Sequence, residues 1–253
     1  MTLPDAVSQD AILAGRVVLL QPKRGHRFGH DAILLAAACP ARPGDHVVDL
    51  GAGVGAAGLA LARRVAGLSV TLIEIDPELA ALAQLNARQN GFAECVHTVT
   101  LDATASARSF AQAGLTAGSA MHVLMNPPFC DQVRQQASPE RRRALAHTGS
   151  AHSLPAWIAS AARILRPRGT LSLIWRADGL LEVLAALDKA FGGPSVLPIH
   201  GKAGRSAVRI LVRVVKGSRT PLELLPGLVL NDSLGRPTPE AEAVLREGAS
   251  LLT

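Results

Sequence analysis

Short apolar runs rich in β-branched residues alternate with Ala/Leu-rich segments of helical spacing, and this alternation restricts the fold more than any other feature. The runs fall at Val47–Leu50, Ser69–Ile75, Val96–Leu101, His122–Met125, Thr170–Trp175, Val196–His200 and Ala207–Val215. Between the early ones, Gly55–Val65 and Pro77–Asn90 have the clearest helical pattern. Asp76-Pro77 opens the second helix as a cap followed by a residue whose φ already suits a first turn, and Asn90-Gly91 stops it. Strands separated by helices of this length need crossover connections, which set the strands parallel in one sheet. The last two runs are closer together, joined through Gly201–Gly204, and read as an antiparallel pair. The expected fold is α/β, with an open, doubly wound, seven-stranded, mostly parallel sheet and an antiparallel edge pair.

A single domain accommodates the 253 residues, of which 48% are hydrophobic. Three parts are expected within it: an N-terminal hairpin or lid extension over 1–30, a catalytic core over 31–219, and a Pro-rich tail over 220–253. Ile12–Leu20 reads as a hairpin around Ala14-Gly15, Asp31–Ala38 as a helix, and Glu240–Glu247 as a final helix. Cys130–Leu154 is polar, basic and without period, and reads as a long loop.

Several function classes drop out. The most apolar stretch, Val47–Ala62, carries Asp49 and four glycines and stops at Arg63-Arg64, so no membrane span is expected. The N-terminus holds two acidic residues and no apolar core of export type. Cys39, Cys95 and Cys130 are odd in number and form no Cys-x-x-Cys pair, which argues against a disulfide scaffold or a structural metal. A reducing, cytoplasmic setting with no metal is expected. The net charge of +6, from 26 basic and 20 acidic residues, favours a polyanionic partner, though mildly.

The segment Val47-Val-Asp-Leu-Gly-Ala-Gly-Val-Gly55 is a strand, a glycine-rich turn and a helix start. Glycines there let backbone approach a ligand closely. The spacing Gly51-x-Gly53-x-x-Ala56 also satisfies the dinucleotide fingerprint, so the turn alone leaves a nicotinamide enzyme open. Asp49 weighs against it, because a carboxylate two residues before the first glycine would repel a pyrophosphate. The cationic ammonium and sulfonium of S-adenosylmethionine suit it better. Glu74, at the end of the second run beside Ile75, can accept both ribose hydroxyls. Asp76 reads as a helix cap. Asp102, after the third run, is placed to accept from an adenine amino group, and Ala103 could offer its amide. Asp49, Gly51, Ala52, Gly53, Glu74, Ile75, Asp102, Ala103 and Asn126 make up the candidate cofactor site.

Asn126-Pro127-Pro128-Phe129 follows the fourth run. Two prolines fix the backbone and remove two amide donors, leaving carbonyls and the Asn126 side chain to receive a ligand. The Asn126 amide oxygen and the Pro127 carbonyl can each accept one N–H of a planar amino group. That draws its lone pair out of conjugation, so orientation and electrostatics supply most of the rate. Phe129 can stack on a flat base. Asn126, Pro127, Pro128 and Phe129 are the candidate catalytic residues.

This chain resembles the class I S-adenosylmethionine-dependent methyltransferases whose Asn-Pro-Pro-[Tyr/Phe] tetrapeptide marks methylation of planar amino groups. Gly15-Arg-Val-Val-Leu-Leu-Gln-Pro22 and Gly25-His-Arg-Phe-Gly-His-Asp-Ala-Ile-Leu-Leu-Ala36 narrow the likeness to the bacterial tRNA1(Val) adenine-N6 methyltransferase family. It extends through Leu-Leu-Pro-Gly-Leu-Val-Leu230. The resemblance implies a Rossmann-like domain, S-adenosylmethionine as cofactor and tRNA as substrate. It also implies that Asp49, Gly51 and Gly53 line the methionine end, that Glu74 takes the ribose and Asp102 the adenine, and that Asn126 to Phe129 hold the target base. The tetrapeptide is specific for reaction type and not for substrate, so rRNA guanine and protein glutamine stay open. A cofactor-binding module without catalysis is a further alternative, disfavoured by the intact Asn126-Pro127-Pro128. Arg141-Arg142-Arg143, Lys23, Arg24, Arg27, Lys202 and Arg205 are candidate phosphate contacts. Arg209 and Arg213 read as structural, and His147 and His152 as neither ligands nor bases.

Overall fold

A computed structural model describes residues 6–24, 27–128, 153–187 and 190–251. The chain opens with an antiparallel hairpin of β1 (Val7–Ile12) and β2 (Val17–Pro22), then α1 (His30–Ala38). The alternating part follows: β3 (His46–Leu50), α2 (Ala56–Arg64), β4 (Ser69–Glu74), α3 (Pro77–Gln89), β5 (Val96–Thr100), α4 (Ala107–Gln112) and β6 (Ala120–Met125). After residue 152 come α5 (Leu154–Ile164), β7 (Leu165–Arg176), a 3-10 turn (Ala177–Gly179), α6 (Leu180–Ala186), β8 (Phe191–His200) and β9 (Ala207–Lys216). The tail supplies β10 (Glu223–Leu224), β11 (Leu228–Val229) and α7 (Pro239–Leu245).

The long strands lie in the order β5-β4-β3-β6-β7-β9-β8, with β9 antiparallel to both its neighbours and the other pairings parallel. The expected seven strands are all present, and the last two pair as expected. Two details differ from the sequence reading. β9 is inserted between β7 and β8, so β8 forms the outer strand and runs with the parallel set. The tail adds β10 and β11, each parallel to β8. Neither two-residue strand carries a periodic signal.

Buried side chains fill both faces of the sheet. On one side α1, α2, α3, the hairpin and α7 enclose a core that includes Leu34, Leu59, Leu72 and Leu19. α1 and α2 meet there through small residues, with Ala36, Ala37, Ala56 and Ala60 nearly inaccessible. On the other side Phe110 of α4, Trp157 and Ile164 of α5, and Val183 of α6 cover Leu50, Ile73 and Met125.

The hairpin is fastened by side chains where a free strand edge would otherwise lie open. Asn90 accepts from the Val18 amide at 2.8 Å and donates to the Val18 carbonyl at 2.7 Å. Asn86, fully buried, does the same for Leu20 at 2.7 and 3.0 Å and donates to the Val54 carbonyl at 2.9 Å. β2 is thereby tied to the glycine turn itself. Among the described residues no helix is long and apolar enough to cross a membrane.

Candidate active site

Strand register assembles the candidate site. Leu50 of β3 stands opposite Ile73 of β4 and Met125 of β6. The next residue on each strand is therefore Gly51, Glu74 and Asn126, level with one another across three adjacent strands. Thr100 of β5 is opposite Glu74, and Asp102 lies two residues beyond. The chain winds from β3 outward through β4 and β5, then returns to place β6 on the other flank of β3. That reversal opens a crevice at the carboxyl ends of the strands.

The turn after β3 has three glycines with φ in the left-handed region: Gly51 at +69°, Gly53 at +57° and Gly55 at +87°. Open space surrounds the position a Cβ would take at Gly53. At Gly51 a Cβ would overlap Trp157 Cη2 and lie 2.8 Å from Cζ3, because the indole of α5 rests on this backbone. The Ala52 amide donates to the Ile73 carbonyl at 2.8 Å, pinning the turn to β4.

Glu74 is nearly buried and holds two elements together. Its Oε2 accepts from the Gly53 amide at 2.8 Å and its Oε1 from the Asp76 amide at 2.9 Å. Each oxygen keeps a further lone pair for a hydroxyl. Ile75, 55% exposed, offers an apolar surface beside it. Asp76 caps α3, its Oδ1 accepting from the Glu78 and Leu79 amides. Asp102 accepts at Oδ1 from the Thr104 amide and hydroxyl, both at 2.7 Å, and Oδ2 has no partner among the described residues. Ala103 is buried next to it.

Asp49 lies beneath the turn. Strand alternation points it to the same face as Val47, where its Oδ2 accepts from the Gly58 amide of α2 at 2.9 Å. Burial, aided by the nearby charge of Glu74, pushes its carboxyl up to about 7 against one hydrogen bond that favours the anion. The sequence reading placed this carboxylate where it would repel a pyrophosphate directly; in the fold it is buried and braces the start of α2 through the Gly58 amide. Asn126 is half-buried and its amide has no hydrogen bond among the described residues, while Pro127 is buried and Pro128 exposed. Phe129, Arg141-Arg142-Arg143, His147 and His152 lie outside the described residues.

Three contributors escaped the sequence reading. Gly58 carried a signal, since a glycine inside a helix marks a close approach. A Cβ there would overlap Leu72 and lie 3.3 Å from Asp49 Oδ2. Asn86 and Trp157 sit on helices whose pattern says nothing of what they touch. A separate cleft of about 480 Å³ lies between the hairpin, the start of α1 and α7, lined by Asp10, Arg27, Phe28, His30 and Arg246 among others. None of the residues grouped at the strand ends lines it.

Comparison with known proteins gives the family of the chain. The model of the methyltransferase small domain matches residues 27–202. The chain is 31% identical over 214 residues to the tRNA1(Val) (adenine(37)-N6)-methyltransferase of a Shewanella species, covering 84% of this chain and 87% of that one. It is 25% identical over 227 residues to the enzyme of the same name from Dickeya chrysanthemi, covering 87% of each. Among solved structures, a protein from Agrobacterium tumefaciens described as a predicted O-methyltransferase superposes with a TM-score of 0.74 at 32% identity, covering 88% of this chain and 99% of that one.

Proposed function

The chain belongs to the methyltransferase small domain family, and from that premise we propose that it transfers a methyl group from S-adenosylmethionine to the exocyclic N6 of an adenine in tRNA. The observation that carries this reading is the level placement of Asn126 beside Gly51 and Glu74 on adjacent strand ends. A group that receives a planar amine is then next to the groups that would hold the methyl donor. The names of the relatives supply the substrate class.

In this reading Glu74 receives the ribose hydroxyls on its remaining lone pairs, with Ile75 against the base. Asp102 Oδ2 takes the adenine amino group beside Ala103. Gly51, Ala52 and Gly53 let backbone close on the methionine end, and Asp49 holds that turn to α2. When bound, the cofactor supplies an electrophilic methyl group on a sulfonium. The chain then has only to orient the nucleophile. Asn126 Oδ1 and the Pro127 carbonyl each accept one N–H of the target amine, which frees its lone pair and stabilises the positive charge it gains. A strong base is unnecessary, because the nitrogen is acidic once alkylated. Pro127 and Pro128 keep the acceptors fixed, and Phe129 would stack on the base.

Labelled methyl transfer to unmodified total tRNA, rRNA and protein tests the reading. Label recovered as N6-methyladenosine from one tRNA species is the expected result. Label in protein, or in ribose 2′-O-methyl groups, would overturn it. Asn126→Ala should lower kcat by about 100-fold or more, the usual loss when one such oriented polar contact is removed, with cofactor affinity within a few-fold of the parent. Loss of cofactor binding instead would remove Asn126 from the role given to it.

A further inference from the structure

We propose that the turn between β8 and β9 is a rigid phosphate clamp for the RNA flanking the target nucleotide, with Lys202 and Arg205 as its contacts. The inference rests on the tRNA reading above. Arg209 of β9 is opposite Arg176 at the carboxyl end of β7, and His200 of β8 is opposite Ala207. The turn therefore projects from the same end of the sheet as Gly51, Glu74 and Asn126. It lies three strands over from β6. At about 4.8 Å per strand this puts it roughly 14 Å sideways from Asn126. The turn also lies farther out along the strands, because Asn126 is level with Leu197, so it is too far to touch the methylated base and well placed for its neighbours.

Lys202 and Arg205 are both exposed, and neither has an acidic partner among the described residues. The acids nearby are already paired: Asp31 with Arg209 at 2.8 Å and Asp232 with Arg236 at 3.0 Å. Exposed lysines and arginines are ordinary, but this turn is held unusually firmly. The Ala203 amide donates to the Asn231 carbonyl at 2.9 Å, and Asn231 Nδ2 donates to the Gly201 carbonyl at 2.9 Å. The Leu230 amide donates to the His200 carbonyl at 2.8 Å, and the His200 ring donates from Nδ1 to the Arg205 carbonyl at 2.7 Å. A backbone bound from two sides presents two cations at a set spacing, which lowers the ordering cost of binding a polyanion. Lys23 and Arg24 follow β2 and are exposed as well, and the Val18–Asn90 and Leu20–Asn86 ties run β2 toward the same end of the sheet.

The test uses the full chain and an unmodified tRNA that the parent methylates. K202A/R205A should raise KM for tRNA about tenfold at moderate salt, with kcat within twofold and S-adenosylmethionine affinity unchanged. Each lost phosphate contact removes about 0.7 to 0.9 from the slope of log K against log salt, so the slope should become shallower by about 1.4 to 1.8. K202R/R205K should keep the parent KM. A K202A/R205A protein with parental KM and parental slope overturns the clamp while leaving the methyltransferase reading intact. A parent protein that binds cofactor and methylates no tRNA overturns the reading itself, and the clamp with it.

Discussion

Gly51 and Gly53 are two residues apart in one turn, yet a methyl group added to each meets different surroundings. Both have φ in the left-handed region, which costs a side chain about 1–2 kcal/mol. At Gly51 the added carbon also collides with the Trp157 indole; at Gly53 nothing lies within contact. Gly51→Ala should therefore lower stability in urea by about 2–4 kcal/mol, strain and overpacking together. Gly53→Ala should lose only the backbone strain of about 1–2 kcal/mol, and at least tenfold in cofactor affinity, measured by calorimetry. Equal losses of stability would refute the assignment of the Trp157 contact. The glycine spacing was legible in the sequence. What separates the two glycines was not, because Trp157 is about a hundred positions away and reaches the turn only by packing.

At the scale of elements, the two ends of the sheet carry different sets of polar groups. The carboxyl ends of β3, β4, β5 and β6 carry the candidate site. The opposite end carries a buried polar network. His122 of β6 donates from Nε2 to Asp45 at 3.1 Å and accepts at Nδ1 from Thr170 of β7 at 2.7 Å. His46 of β3 donates from Nδ1 to the Ser119 carbonyl and accepts at Nε2 from Thr71 of β4, both at 3.0 Å. Four strands are joined by these two imidazoles. Burial holds His122 below the usual histidine range despite the pull of Asp45. The unfolded chain therefore binds a proton that folded His122 resists, so the contribution of His122 to stability is lost as pH drops below about 6.5, opposite in sign to that of the raised Asp49 carboxyl. His122→Leu should remove that contribution and cost about 1–3 kcal/mol through the lost Asp45 bond and the unpaired Thr170 hydroxyl, read by urea denaturation from pH 7 to 5. Its kcat should stay within twofold, since the site is at the other end. A large loss of kcat in folded protein would deny this separation. The strands themselves were evident from their apolar runs, but cross-strand partners such as His122 and Thr170 are set by register, which no local pattern records.

For the molecule as a whole, the tail is part of the folded body. β10 and β11 pair with β8, and α7 buries Ala241 and Val244 against α1. The Leu251 amide donates to the Ala37 carbonyl at 2.9 Å, and Arg16 of the hairpin turn donates to the Arg246 carbonyl at 2.8 Å. Ending the chain at Thr220 would remove Leu228 and Val244 and uncover the faces they cover. That should lower stability by roughly 3–6 kcal/mol, at 1.5–3 kcal/mol for each large side chain, seen as a drop in urea midpoint. An unchanged midpoint would mean that the tail rests on the domain without stabilising it.

Local chemistry determined the strand–helix alternation, the glycine turn, the Asp76 cap, and the carboxylates and Asn-Pro-Pro at strand ends, because each depends on residues near one another in the chain. Only the tertiary structure decided that β9 lies inside β8, that Asp49 sits under the turn, that Trp157 rests on Gly51, and that Asn231 stiffens the Lys202–Arg205 turn. These depend on which distant surfaces meet once the apolar faces are buried, and burial is indifferent to sequence distance.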